Sequence, residues 1–188
     1  MTQPLTILGL CGSLRKRSTN LSTLHAAGEL MPEAMTLTIA PLDEIPLYSQ
    51  DVQDAGFPAP VTRLRDALAA ADGVLIASPE YNFSVSGVLK NAIDWLSRTQ
   101  PQPFRMKPVA IFSVTAGPVG GARNQYDLRK ILGCLDAMVL GKPEIFIGAS
   151  GSKFDAEGRL TDEIARKLLR DQMGAFADWI ARAKRFAA

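Results

Sequence analysis

Apolar residues in this chain gather into short unbroken runs, and the stretches between the runs carry helical spacing. Leu5-Thr6-Ile7-Leu8-Gly9-Leu10-Cys11 is nearly continuous, as a strand buried on both faces of a parallel sheet requires. A helix is predicted over 21–30. Met35, Leu37 and Ile39 then alternate with Thr36 and Thr38, the pattern of a more peripheral strand. Residues 41–60 are rich in proline and read as an irregular crossover. Val61, Leu64, Leu68 and Ala71 keep helical spacing until Asp72-Gly73, where the run Val74-Leu75-Ile76-Ala77 begins a second central strand. Leu89, Ala92, Ile93 and Leu96 mark the inward face of the next helix. Val109-Ala110-Ile111-Phe112-Ser113-Val114 repeats the strand theme, followed by a helical stripe of Leu128, Ile131, Leu132 and Leu135. Ile145-Phe146-Ile147 is a last short strand and Asp155-Ala156-Glu157-Gly158 a turn. Thr161-Asp162-Glu163 opens a closing amphipathic helix through Ile164, Leu168, Ala175, Trp179 and Ala183.

Strands alternating with helices imply a doubly wound α/β sheet, because right-handed crossovers place helices on both faces. The expected architecture is a flavodoxin-like three-layer sandwich around a five-stranded parallel sheet of order 2-1-3-4-5. That order brings the loops after strands 1, 3 and 4 to one carboxyl edge, where ligands bind in such sheets. A length of 188 residues suits a single domain over 1–188.

Composition narrows the function. The net charge is +2 and the basic residues are dispersed apart from Arg15-Lys16-Arg17, which argues against a nucleic-acid binder. Cys11 and Cys134 lack metal-ligand or CxxC spacing and read as buried reduced thiols. The single histidine, His25, falls within the first helix and reads as structural or solvated. No metal site is expected. The apolar run at residues 5–11 is too short for a signal sequence and no stretch reaches membrane-spanning length, so a cytoplasmic protein with no membrane partner is expected.

Three strand-to-helix loops carry the candidate chemistry. Gly12-Ser13-Leu14-Arg15-Lys16-Arg17-Ser18-Thr19-Asn20 offers hydroxyls, a guanidinium and the free N–H groups of a helix start, the donor set of a phosphate cradle. It matches neither G-x-G-x-x-G nor G-x-x-x-x-G-K-[ST]. The plainer reading is an ordinary loop in which Asn20 caps the helix. In the second loop, Ser78-Pro79-Glu80-Tyr81-Asn82-Phe83, Pro79 stiffens backbone that could meet the polar edge of a flat ring, and Tyr81 and Phe83 add aromatic surface. An FMN isoalloxazine fits that description; the plainer reading is that Pro79 ends a strand and the aromatics pack on helices or a partner subunit. The third loop, with Thr115, Ala116, Gly117, Gly120 and Gly121, leaves room for close backbone approach, although glycine also serves connections for conformational reasons alone.

Gly12-Ser13-Leu14-Arg15-Lys16 with Ser18 and Asn20, then Pro79-Glu80-Tyr81-Asn82 with Leu89-Lys90-Asn91-Ala92-Ile93-Asp94-Trp95, then Gly120-Gly121-Ala122-Arg123, together resemble the NAD(P)H-dependent FMN reductase family, in particular its chromate and quinone reductases. The resemblance covers almost the whole chain. It implies a flavodoxin-like fold, non-covalent FMN, NADPH or NADH as co-substrate, and reduction of quinones, flavins, azo compounds or chromate. By motif position it implies Ser13, Arg15, Ser18, Thr19, Asn20 and Leu21 around the phosphate, and Pro79, Glu80, Tyr81 and Asn82 at the flavin edge. Thr115, Ala116 and Gly117 would lie nearby. It further implies a homodimer or homotetramer, with Arg123, Tyr126 and Glu144 at a subunit contact. Ser86 and Phe83 depart from the proline and tyrosine often found in relatives, which bears on acceptor preference.

No Ser/His/Asp or paired-carboxylate constellation stands out, as expected where the cofactor performs the chemistry. Glu80 and Asp94 read as structural and Trp95 as packing. Lys16 and Arg17 read as a solvated pair or a seat for a nucleotide phosphate. The rival reading is a non-enzymatic FMN electron carrier, which should present an acidic docking surface. A phosphoacceptor regulator would need acidic residues where Leu10 and Cys11 stand.

Overall fold

In the computed structural model, which describes residues 4–186, the first apolar run forms β1 (Leu5–Cys11), followed by α1 (Thr19–Leu30) and β2 (Met35–Ala40). The proline-rich stretch then carries a short helix that its composition did not predict, α2 (Gln50–Asp54), and leads into α3 (Ala59–Ala70). Pro60 sits in the first turn of α3, where a missing N–H costs nothing. β3 (Gly73–Ala77), a hairpin of β4 (Glu80–Tyr81) and β5 (Ser84–Val85), and α4 (Gly87–Ser97) come next. β6 (Pro108–Val114), α5 (Ala122–Cys134), β7 (Met138–Val139), β8 (Ile145–Ile147) and the long α6 (Glu163–Phe186) complete the order.

The main sheet is parallel, in the order β2-β1-β3-β6-β7, and β8 also pairs with β6. Pro108 and Val109 of β6 meet Met138 and Val139, whereas Phe112 to Val114 meet Ile145 to Ile147. The fifth position is therefore one strand interrupted by residues 140–144, and the arrangement is the flavodoxin-like order 2-1-3-4-5. Only the second half of that strand showed in the sequence, because Met138-Val139 is too short to register as a run.

Alternate residues of the central strands feed two cores. Ile7, Leu75, Ala110 and Phe112 pack with Leu24, Leu169 and Phe176 on the α1/α6 side. Leu8, Leu10, Val74, Ile76 and Ile111 pack with Leu64, Leu68, Leu89 and Leu128 on the α3/α4/α5 side. Each large side chain so buried stabilises the fold by ~1.5–3 kcal/mol. Trp95 is fully buried, donates its Nε1–H to the Pro46 carbonyl at 2.8 Å, and meets the Tyr48 ring edge-on at 5.0 Å. Its role is packing, as its helical position predicted.

Cys11 is buried, but Cys134 is exposed, which corrects its reading as a buried thiol. Two residues beyond Leu132, it falls on the far side of α5 from the apolar stripe.

Candidate functional site

The loop after β1 turns at Gly12, where the chain passes under two neighbours. A Cβ built there would lie 2.8 Å from Ser86 Oγ and 2.9 Å from Pro79 Cδ. Ser18 ends the loop as the N-cap of α1, its Oγ accepting the Leu21 N–H at 3.2 Å. Asn20 is thus not the cap, and α1 starts at Thr19 rather than 21. The Asn20 side chain is buried and faces β6, donating Nδ2–H to the Val114 carbonyl at 2.8 Å and accepting the Val114 N–H at 3.1 Å through Oδ1.

What remains of the loop is a set of unused donors. Among the described residues, Arg15 makes no ion pair or side-chain hydrogen bond, the Ser13 and Thr19 hydroxyls have no partner, and no backbone N–H from Ser13 to Asn20 donates to a protein acceptor. Unpaired donors converging at a helix start suit a phosphate monoester.

The loop after β3 is a hairpin that the sequence did not reveal. Tyr81 pairs with Ser84, and Asn82 (φ 50°) and Phe83 (φ 67°) form its turn. Two successive positive φ values match the right-handed twist of hairpin strands; Asn accepts that conformation readily, Phe seldom. The Arg123 guanidinium lies 3.7 Å from the centre of the Phe83 ring. Arg123 also pairs with Glu80 at 2.6 Å, and Glu80 accepts the Asn124 N–H at 3.3 Å. The Glu80 carboxylate is thereby bound to the start of α5, the structural role read for it. Ser84 donates to Asp127, and Lys130 and Ser84 together hold the Asp127 carboxyl below its ordinary value. Ser86 caps α4 by accepting the Leu89 N–H at 3.3 Å.

The glycines of the third loop serve the fold more than a ligand. A Cβ on Gly120 would meet the Phe146 carbonyl carbon at 2.7 Å, and one on Gly121 would meet Ser113 Cβ at 2.7 Å; both residues have positive φ. Only Gly117 faces open space. Thr115 is fixed from both sides, its N–H donating to the Ile147 carbonyl and its carbonyl accepting from the Ser150 N–H.

The three loops enclose a cavity of about 300 Å³ lined by Ser13, Arg15, Ser18, Thr19 and Asn20, by Pro79, Glu80 and Tyr81, and by Val114, Thr115 and Ala116. Ser150 and Gly151, from the segment after β8, close it. Of the residues expected at a cofactor site, Leu21, Asn82 and Gly117 are not among the lining. Leu21 packs on the α1/α6 core and its N–H is taken by Ser18; Asn82 sits at the hairpin turn. The sequence reading missed Val114, Ser150 and Gly151. The small-residue stretch Gly148-Ala149-Ser150-Gly151 directly after a strand was the available signal.

Beneath the cradle, Cys11 Sγ lies 3.9 Å from Ser18 Oγ; burial pushes its thiol up, against the pull of hydrogen bonds with Ser13 and Ser18. Arg17 is tied down, donating to the Ala156 carbonyl at 2.7 Å. His25 stands outside the cavity, and Asp94 pairs with Lys90 at 2.8 Å. Among the described residues no group of His, Cys, Asp and Glu could hold a metal, and no helix is long and apolar enough to cross a membrane.

A doubly wound parallel sheet whose carboxyl edge joins an anion cradle to a stiffened, aromatic-bearing loop defines a flavodoxin-like flavin protein. The chain belongs to the NADPH-dependent FMN reductase family, which matches residues 5–151. It is 47% identical over 182 residues to an NAD(P)H-dependent FMN reductase of Pseudomonas aeruginosa, covering 97% of this chain and 98% of that one. It is 46% identical over 187 residues to a quinone reductase of Escherichia coli, covering 98% and 100%. Among solved structures it resembles FerB, a flavoenzyme NAD(P)H:(acceptor) oxidoreductase of Paracoccus denitrificans, with a TM-score of 0.87, 33% identity and coverage of 95% and 98%. As a member of this family it is an NAD(P)H-dependent oxidoreductase with FMN as its cofactor.

Proposed function

We propose that the chain, as one domain, reduces quinones with NADH or NADPH, and that its FMN sits in the cavity between the loops after β1, β3 and β6. The observation that carries this reading is the unpaired donor set of Ser13, Arg15 and Thr19 facing Pro79, Glu80 and Tyr81 across one cavity. When bound there, FMN would supply the redox chemistry that links the nicotinamide to the acceptor.

The protein holds and orients. Arg15 and the Ser13 and Thr19 hydroxyls neutralise the phosphate, with the unused N–H groups of residues 13–20 completing the shell. Ser18 and Asn20 contribute backbone there, since Ser18 Oγ caps α1 and the Asn20 amide is committed to Val114. Pro79 to Tyr81 would present backbone to an edge of the ring, with Thr115 and Ala116 nearby. No side chain is assigned proton transfer.

Quinones come first among acceptors because relatives carry that name. Flavins, azo compounds and chromate are further small molecules that the same reduced centre would serve. Tyr81, Phe83, Val119 and Tyr126 are large exposed side chains on the hairpin, the third loop and α5, a patch suited to a second copy in a homodimer or homotetramer. Free thiols and a nucleotide co-substrate suit a cytoplasmic setting.

The test is a visible spectrum of purified protein followed by anaerobic mixing with NADH or NADPH. Flavin absorption that bleaches on mixing and recovers with a benzoquinone over many turnovers is expected. A colourless protein that takes up no FMN would overturn the reading. Bound FMN that only a reductase partner can reduce would instead select the electron-carrier alternative.

A further inference from the structure

Two neighbouring polar residues of α5, Asn124 and Gln125, are completely buried, which demands partners for their amides. Asn124 Oδ1 accepts the Ser78 hydroxyl at 2.5 Å, while its Nδ2 donates to the carbonyls of Ser78 at 3.2 Å and Gly121 at 2.7 Å. Gln125 Nε2 donates to Ser113 Oγ and to the Ile145 carbonyl, both at 2.8 Å, while its Oε1 is buried without a partner; Ser113 in turn donates to the Gly120 carbonyl.

The partners share one property. Ser78 immediately precedes Pro79, Ser113 lies two residues before Thr115, and Ile145 opens the strand that leads to Ser150. Each belongs to a strand or strand end that carries a wall of the cofactor cavity. The Asn124 backbone N–H and the adjacent Arg123 also hold Glu80. One turn of α5 thus fixes the hairpin loop against the third loop from behind, without touching the cavity. The Asn124 amide, bonded through both its oxygen and its nitrogen, specifies a single arrangement, because a shift would leave it unpaired in a low dielectric.

We propose that Asn124, seconded by Gln125, is a positioning residue of the oxidoreductase: it sets the distance and tilt of the Pro79-Glu80-Tyr81 edge relative to Thr115 and so tunes how the protein grips FMN. This rests on the cofactor placement proposed above. Backbone donors held at fixed positions around a ring are effective only if they need no rearrangement on binding. A looser mount would weaken binding and change the polarity felt by the ring.

The experiment compares Asn124→Leu, which keeps the branching at Cγ with a larger side chain and removes every side-chain hydrogen bond, with Gln172→Leu. Gln172 is equally buried on α6, where it donates to the Ile111 and Pro143 carbonyls, neither of which lines the cavity or belongs to the Pro79-Glu80-Tyr81 edge. FMN affinity of the apoprotein is read by quenching of flavin fluorescence, and the midpoint potential of the bound flavin by equilibration with a reference dye. Asn124→Leu is expected to weaken FMN binding at least tenfold and to shift the potential, and Gln172→Leu to lower the melting temperature while leaving both unchanged. Should Asn124→Leu fail to fold, Ser78→Ala removes one bond of the same network and is expected to weaken FMN binding about threefold. Affinity within twofold of wild type and an unmoved potential would overturn the proposal, as would an equal loss in Gln172→Leu. Wild-type protein that binds no FMN would instead bring down the cofactor placement itself.

Discussion

The side-chain amide of Asn20 stands in for a strand beside Val114, donating to its carbonyl at 2.8 Å and accepting its N–H at 3.1 Å. In a parallel ladder the N–H and C=O of alternate residues point to the same neighbour. On β6, Phe112 turns its carbonyl to the Ser78 N–H, so Val114 points the same way. There β3 has already left the sheet at Pro79, and Asn20 fills the gap it leaves. A helix residue of the cradle thereby completes the sheet at the mouth of the cavity.

Asn20→Leu would leave both backbone groups of Val114 unpaired and buried. A loss of about 2–6 kcal/mol is expected at ~1–3 kcal/mol for each orphaned group. Urea denaturation monitored by circular dichroism measures it; a midpoint unchanged from wild type would show that water or a shifted backbone replaces the amide.

Arg15 has the opposite profile. It bonds to nothing among the described residues, so Arg15→Ala should leave the melting temperature of the apoprotein within a degree or two of wild type. FMN affinity should fall tenfold or more, the scale of a lost charge-assisted contact at ~1.5–3 kcal/mol. Equal affinities in a fluorescence titration would remove Arg15 from the cradle.

Gly12→Ala tests the meeting of the first two loops. With Ser86 Oγ and Pro79 Cδ at 2.8 and 2.9 Å from the new methyl, one loop must move, at a cost of about 1–3 kcal/mol. FMN should bind less tightly than to wild type, and paired measurements of unfolding and flavin affinity should show both losses together.

Acid should loosen the fold at Asp72, at the start of β3 and opposite the cavity, and at the turns after β8. Partial burial tends to raise the Asp72 carboxyl, but the Lys184 ammonium at 2.7 Å and the Thr6 N–H outweigh it and hold the group below its ordinary value of 3.8. A carboxyl depressed in the folded state stabilises fully above its unfolded value, and that contribution drains as pH falls toward the folded one. Asp155 and Asp162 are shifted the same way by hydrogen bonds at the Arg159 turn and at the start of α6. The melting temperature should be insensitive to these groups above pH ~5 and fall below pH ~4. Asp72→Asn should cost about 1 kcal/mol at pH 7, with the difference from wild type shrinking by pH ~2–3 in melts across that range.

The runs of β1, β3 and β6 were legible because strands buried on both faces need apolar side chains at every position. The strand order followed from asking which loops must meet. The hairpin at Glu80–Tyr81 and Ser84–Val85 was not legible, since each arm has two residues and Phe83 is a poor advertisement for a positive φ. Half of the fifth strand was lost for the same reason of length. At the site, residue types located the cradle, but side-chain direction did not follow from them. Asn20 read as the helix cap, but its amide is drawn to Val114, 94 positions away in the chain, and Ser18 caps instead. Gly120 and Gly121 seemed to make room for a ring and instead make room for Phe146 and Ser113.

Neither hydrophobic cluster draws on Ser13, Arg15, Thr19, Glu80, Tyr81 or Thr115. The helices cover both faces of the sheet without them. The polypeptide should therefore reach its native form as an empty receptacle, with added FMN raising its melting temperature rather than being needed for it to fold.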